Sequence, residues 1–169
     1  MSNGSIRVLC GIALAAGSGM IAVQATGQIR RQGPADAKIP IQVSLKVGGE
    51  AFESSAAGKC TYAPKASIYN VVSELRSVEL SAGGRSTHLT WWHPLDGSAD
   101  MMNLSVTSGS GSHEVSTVKG GQMNGSGTVK FEKSGNGGTF TIGAKTARNV
   151  AIAGTIKCDS FAPHIAEGG

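Results

Sequence analysis

Two adjacent tryptophans, Trp91 and Trp92, and the polar residues beside them are the part of this chain best suited to recognising another molecule. Neighbours on a strand point to opposite faces, so one indole belongs to a core and the other faces outward. Leu89 shares a face with Trp91, which assigns Trp91 to the core. Trp92 falls on the face of His88 and Thr90. A tryptophan set among hydroxyl and imidazole groups can stack on a sugar ring or on a partner's apolar surface. Trp92, His88 and Thr90 are therefore the candidate ligand-binding residues. The competing reading has a loop or the N-terminal arm covering Trp92 and leaves it a packing residue.

Other chemistries find less support. His93, Met101, Met102, His113 and Met123 carry imidazole and thioether groups, which suit copper. Met102 alternates as an inward strand residue, however, and no pair among the five has the spacing of a metal site. No metal or other cofactor is expected. Ser, His and Asp are all present, yet no Gly-x-Ser-x-Gly elbow stands at a strand-to-helix turn. Gly109-Ser110-Gly111 and Gly125-Ser126-Gly127 read as tight turns. The 11 acidic residues include no close pair suited to glycosidic hydrolysis. The expectation is a protein without catalysis; a hydrolase would need a site assembled only by the fold. Asn103-Leu104-Ser105 and Asn124-Gly125-Ser126 match the N-glycosylation pattern, a short one that recurs by chance in a Ser- and Asn-rich chain.

The three cysteines bear on the compartment. Residues 1–25 read as a secretory signal peptide, with Arg7 ahead of an apolar core over 8–23. Val23-Gln24-Ala25 then offers small residues for cleavage after Ala25. The apolar stretch is short of the roughly 20 residues a membrane helix needs. Cys10 precedes most of that core and follows the large Leu9, which is unlike a lipid-attachment site. Contact with a membrane is expected only during export, to the periplasm or the medium. Cys60 and Cys158 remain, each on an alternating stretch that points it inward. Pairing them closes a loop of 158 − 60 = 98 residues. A loop of about 100 residues contributes roughly 4–5 kcal/mol on the chain-entropy account. The alternative is two unpaired buried thiols. The formal charge of +4 is scattered, with no basic run beyond Arg30-Arg31, so nucleic acid is not an expected partner.

The elements that must position these residues read as strands. The chain has 169 residues, 25 of them Gly, and only 15% charged side chains, which favours one domain of short strands and tight turns. Residues 26–40 lack any apolar period and read as a flexible arm. From Ile41, Val43, Leu45 and Val47 onward the apolar residues alternate. Gly48-Gly49 and Gly83-Gly84 make turns, and Ser134-Gly135-Asn136-Gly137-Gly138 is the strongest hairpin signal. Residues 67–76 are ambiguous. Ile68, Val71, Val72 and Leu75 fit one helical face, yet three of the four are β-branched, so a short helix or crossing segment is assigned there with a strand as the alternative. The fold class expected is all-β: an antiparallel sandwich or flattened barrel of about 8–9 short strands over 41–161, with a disordered tail over 162–169.

The order of features resembles the mycobacterial 19-kilodalton lipoprotein antigen family. The likeness rests on Gly58 to Thr61 in an early strand, a turn at Thr107 to Gly111, and a closing strand from Thr155 to Cys158. It implies an exported β-rich surface protein with an antigen or adhesion role, and no reaction. This chain departs from the family in lacking a usable lipobox. The leading expectation is an exported, non-enzymatic binding or cell-envelope module, its ligand a carbohydrate, an apolar small molecule or an envelope protein. Its alternatives are the secreted hydrolase and a structural surface subunit.

Overall fold

The computed structural model describes residues 38–109 and 111–164. The signal peptide assigned to 1–25, residues 26–37 of the arm and the tail beyond 164 lie outside the described residues. Ten strands follow one another with no helix among the described residues: β1 Ile39–Val47, β2 Glu50–Ile68, β3 Val71–Ala82, β4 Arg85–Pro94, β5 Met101–Ser108, β6 Gly111–Ser116, β7 Ser126–Ser134, β8 Gly137–Lys145, β9 Ala151–Cys158 and the two-residue β10 Ala162–Pro163. Nine of them form an antiparallel sheet in the order β6-β5-β4-β3-β2-β1-β9-β8-β7, and β10 lies parallel to β2. The sheet nearly closes into a barrel, as the flattened-barrel expectation had it. The end strand β6 meets the segment just ahead of β7 at a bridge, where Ser116 and Asn124 exchange backbone hydrogen bonds of 2.7 and 2.9 Å.

Period-two patterning builds this sheet directly. Along β1, Ile39, Ile41, Val43, Leu45 and Val47 are buried while the residues between them are exposed. The long β2 serves two partners: residues 50–58 pair with β1 and residues 59–68 with β3. Gly58 stands at that changeover. A Cβ there would lie 2.6 Å from Ile41 Cδ1 and closer still to the Glu79 carbonyl, so the crossing has room only for glycine. The interior is filled by Ile41, Val43, Leu45, Leu89, Met102, Leu104, Phe140, Ile152 and Ile156, all essentially without solvent contact. Cys60 and Cys158 are disulfide-bonded inside the same core. Since β2 and β9 flank β1, the bond ties the two neighbours of the first strand together, beside the Ile41–Cys158 pair.

Three boundaries differ from the expectation. Residues 67–76 hold no helix: β2 ends at Ile68, Tyr69 and Asn70 turn with φ of 46° and 64°, and β3 begins at Val71. The apolar residues at helical spacing belong to two strands of a hairpin, and its turn carries neither Gly nor Pro. Ile39 and Pro40 belong to β1 rather than to the arm. Ala162 and Pro163 pair with Thr61 and Tyr62 rather than joining the tail.

Candidate functional site on the outer sheet face

β4 carries the candidate residues in strict alternation. Thr87, Leu89 and Trp91 are buried; His88 is exposed, and Thr90 and Trp92 are partly buried on the opposite face. The register then extends each outward residue into a row across neighbouring strands. Thr90 lies in the row Thr61, Ser77, Thr90, Asn103, Ser116, which the closing bridge continues to Asn124. Every member is a hydroxyl or an amide. His88 lies in the adjacent row Lys59, Glu79, His88, Ser105, Glu114, where charge gathers. Trp92 lies on the other side, with Ala63, Leu75 and Met101. An apolar row, a neutral polar row and a charged row thus run side by side over the outside of β2–β6.

Segment 117–125 folds along one border of this face. The Thr117 N–H donates to the Met102 carbonyl and the Met102 N–H to Thr117 Oγ1, each at 2.9 Å, so pairing with β5 continues one residue past β6. This sets Val118 beside Met101 at the end of the apolar row. Val118, Met101 and Ala63 are buried yet stand apart from the barrel core. Outer packing therefore covers the ends of the row, and Trp92 between them keeps part of its surface in solvent. Tyr69 lies flat on the backbone of Gly120 and Gly121, where an added Cβ would fall 3.0 and 2.8 Å from its ring and hydroxyl. Gln122, Met123 and Asn124 then stand up as a wall. Between that wall and His88, Asn103, Ser105, Glu114 and Ser116 is a groove of about 560 Å³.

The polar row is largely uncommitted. Thr90 Oγ1 lies 3.4 Å from His88 Nε2, which is 4.0 Å from Glu79 Oε1. Among the described residues, no side-chain hydrogen bond engages Thr61, Ser77, Asn103, Ser116 or Asn124. The structure thus brings His88 and Thr90 to one surface and puts Trp92 at its edge.

A second group was not legible in the sequence. Arg76 points inward from β3 and is 8% exposed. Its guanidinium lies 4.1 Å from the centre of the Phe131 ring and 4.4 Å from that of Tyr62, with Trp91 at 5.2 Å and Phe161 at 5.8 Å. Glu74 accepts from its Nη1 at 2.8 Å. Beside it, Asp100 accepts from the Trp91 indole N–H at 3.0 Å and from His93 Nδ1 at 2.7 Å, while the imidazole stacks on Trp91. Glu74, Arg76, Trp91, His93 and Asp100, with Lys130 to Lys133 of β7, line an open cleft of about 540 Å³ where the barrel seam is not hydrogen-bonded. The residues weighed for copper do not converge. His93 is held by Asp100, Met102 is inside the barrel, Met101 is under the outer packing, His113 lines a separate groove with Thr146 and Arg148, and Met123 is exposed on the groove wall. Loop 95–100 is set by Asp96, which accepts from the Ser98 backbone N–H at 2.9 Å. Hydrogen bonds from Ser98, side chain first and backbone second, hold its carboxyl below the usual aspartate range.

No family model, no curated protein and no solved structure matches this chain. The class defined by fold and bond is an all-β barrel with one buried disulfide, the mark of an oxidising extracellular or periplasmic compartment.

Proposed function

We propose that this protein is exported, loses residues 1–25, and acts as a non-enzymatic binding module of the cell envelope or its surroundings through the outer face of β2–β6. One observation carries the reading: the six-membered row of hydroxyl and amide side chains from Thr61 to Asn124, flanked by Trp92 and ending in a groove. Polar side chains lined up without partners favour a hydroxyl-rich ligand over an apolar one. The resemblance to the 19-kilodalton antigen family supports an envelope setting and supplies no reaction. A second reading, a hydrolase, draws on the His93–Asp100 pair at the seam cleft. Among the described residues no hydroxyl is hydrogen-bonded to His93, so that pair lacks a nucleophile of the protein's own.

The test is chemical-shift mapping of the mature, isotope-labelled protein with a purified envelope polysaccharide fraction. Shifts concentrated at Thr90, Asn103 and Ser116, and weakened binding by Asn103→Ala but not by Lys130→Ala, are expected. Shifts centred on His93 and Lys133 instead would move the binding surface to the seam and end this reading.

A further inference from the structure

We infer that the ligand of this face is an extended, uncharged polysaccharide that lies across the strands, one sugar to each strand; this rests on the outer-face reading above. The first argument is spacing. Neighbouring strands lie about 4.8 Å apart, so the four steps from Thr61 to Ser116 cover roughly 4 × 4.8 = 19 Å along the curved sheet. That step is close to the length of one pyranose ring in an extended β-linked chain. A ligand running along a strand would instead meet a polar, then an apolar or a charged row within a few residues. Only the direction across the strands keeps one chemistry under the whole chain.

The second argument is amphipathicity. A pyranose has hydroxyl edges and an apolar C–H face. Hydroxyls and amides at Ser77, Thr90, Asn103 and Ser116 suit the edges, and the indole of Trp92, in the next row, offers a stacking surface for the C–H face. The third is charge. The charged row bordering the site carries Glu79 and Glu114 beside Lys59 and His88, and Glu114 also lines the groove, so a polyanionic chain would meet a carboxylate at its groove end. Finally, the row stops at a wall. Gln122, Met123 and Asn124 close the groove beyond Ser116, and its volume of about 560 Å³ lies within the ordinary range of small-ligand sites, so the terminal sugar seats there. Thr61 marks the opposite end, beside β10, where only a longer chain arrives.

The experiment is calorimetric titration of the mature protein with cello- and chito-oligosaccharides from monomer to hexamer. Affinity should rise with each sugar and level off near the pentamer. Asn103→Ala should weaken binding at every length. Thr61→Val, which keeps shape and removes the hydroxyl, should leave the dimer unchanged and weaken the hexamer about two- to tenfold, the worth of one net hydrogen bond. Trp92→Phe keeps a ring for folding and should weaken binding less than Trp92→Ala. Length-independent affinity, equal effects of Thr61→Val on dimer and hexamer, tighter binding of polyanionic hexamers, or no binding of any oligosaccharide would overturn the inference. If envelope-fraction shifts still map to Thr90, Asn103 and Ser116 in those cases, the outer-face reading stands and only the ligand is wrong. Shifts that map elsewhere remove both.

Discussion

Replacing Arg76 by Ala should loosen the barrel at its seam. β7 pairs only with β8, so around Phe131 its attachment to β3 and β4 depends on side chains. The guanidinium sits between the rings of Phe131 and Tyr62, at 4.1 and 4.4 Å. Each such contact, largely shielded from water, is worth about 1–2 kcal/mol. Trp91 and Phe161 are farther away and add less. The Glu74 side chain is 31% exposed and can turn to water once its partner is gone, so the lost ion pair adds only about 0.5 kcal/mol. The sum is about 3–4 kcal/mol, a large part of the roughly 5–15 kcal/mol that holds an ordinary domain folded. Guanidinium chloride unfolding followed by tryptophan fluorescence, with the disulfide intact, measures the loss; the melting temperature should fall by about 10 °C. Arg76→Met separates the causes, because it fills most of the space without charge or planar group. If the rings hold the cation, Met should still lose about half of the stabilisation. Buried ion pairs can also be replaced by apolar groups at no cost. An Arg76→Met protein as stable as the original, with Arg76→Ala losing under about 1 kcal/mol, would refute the clasp.

Three further outcomes follow from the same geometry. Replacing Cys60 and Cys158 together by Ala should cost about 2–5 kcal/mol, and neither thiol should label in the native oxidised protein; rapid labelling of both would contradict the bond. Trp91→Ala should cost roughly 3–5 kcal/mol as a deleted core aromatic, and Trp92→Ala distinctly less; equal large losses would mean that the outer packing counts as core. The Asp96 carboxyl, followed by carbon NMR, should titrate below the ordinary aspartate midpoint, and Ser98→Ala should bring it back toward that midpoint. Because the folded value is the lower one, its contribution to the loop is present at neutral pH and is lost as pH falls through the lowered midpoint.

What the sequence disclosed follows from what a period of two can encode. Ile41 to Val47, the Ser134 to Gly138 hairpin, the inward cysteines and the opposed tryptophans are local patterns, and local patterns suffice for strands and faces. Arg76 is hidden by the turn before it. A helix or crossing segment over 67–76 ends the alternation of Val78 and Leu80 two positions short of an inward arginine. Tyr69-Asn70 adopts the left-handed conformation that Gly usually supplies, so no breaker announced the hairpin. The polar row was hidden for a different reason. Thr61 and Asn124 become neighbours of one row only through the registers of several strand pairs, and register between strands distant in sequence leaves no local mark. The candidate Thr90 could be named from the sequence, but its five companions could not.

The outer ends of β1 and β10 lie along one strand, and this gives the topology a property of its own. Ile39 is paired with Gly58, and Pro163 with Tyr62, positions 62 − 58 = 4 apart on β2. Four strand residues span about 13 Å, a gap that a linker of roughly four residues would bridge. The segment 39–163 could therefore be rejoined there and reopened at Gly83-Gly84 without separating any pair of neighbouring strands. Such a permuted protein would keep the Cys60–Cys158 bond but enclose far less chain with it. The direct path between the cysteines is 98 residues, while the path through the linker is (163 − 158) + (60 − 38) + about 4, or about 31. On the chain-entropy account the same covalent bond would then contribute about 1 kcal/mol less, although its surroundings in the folded state would be unchanged.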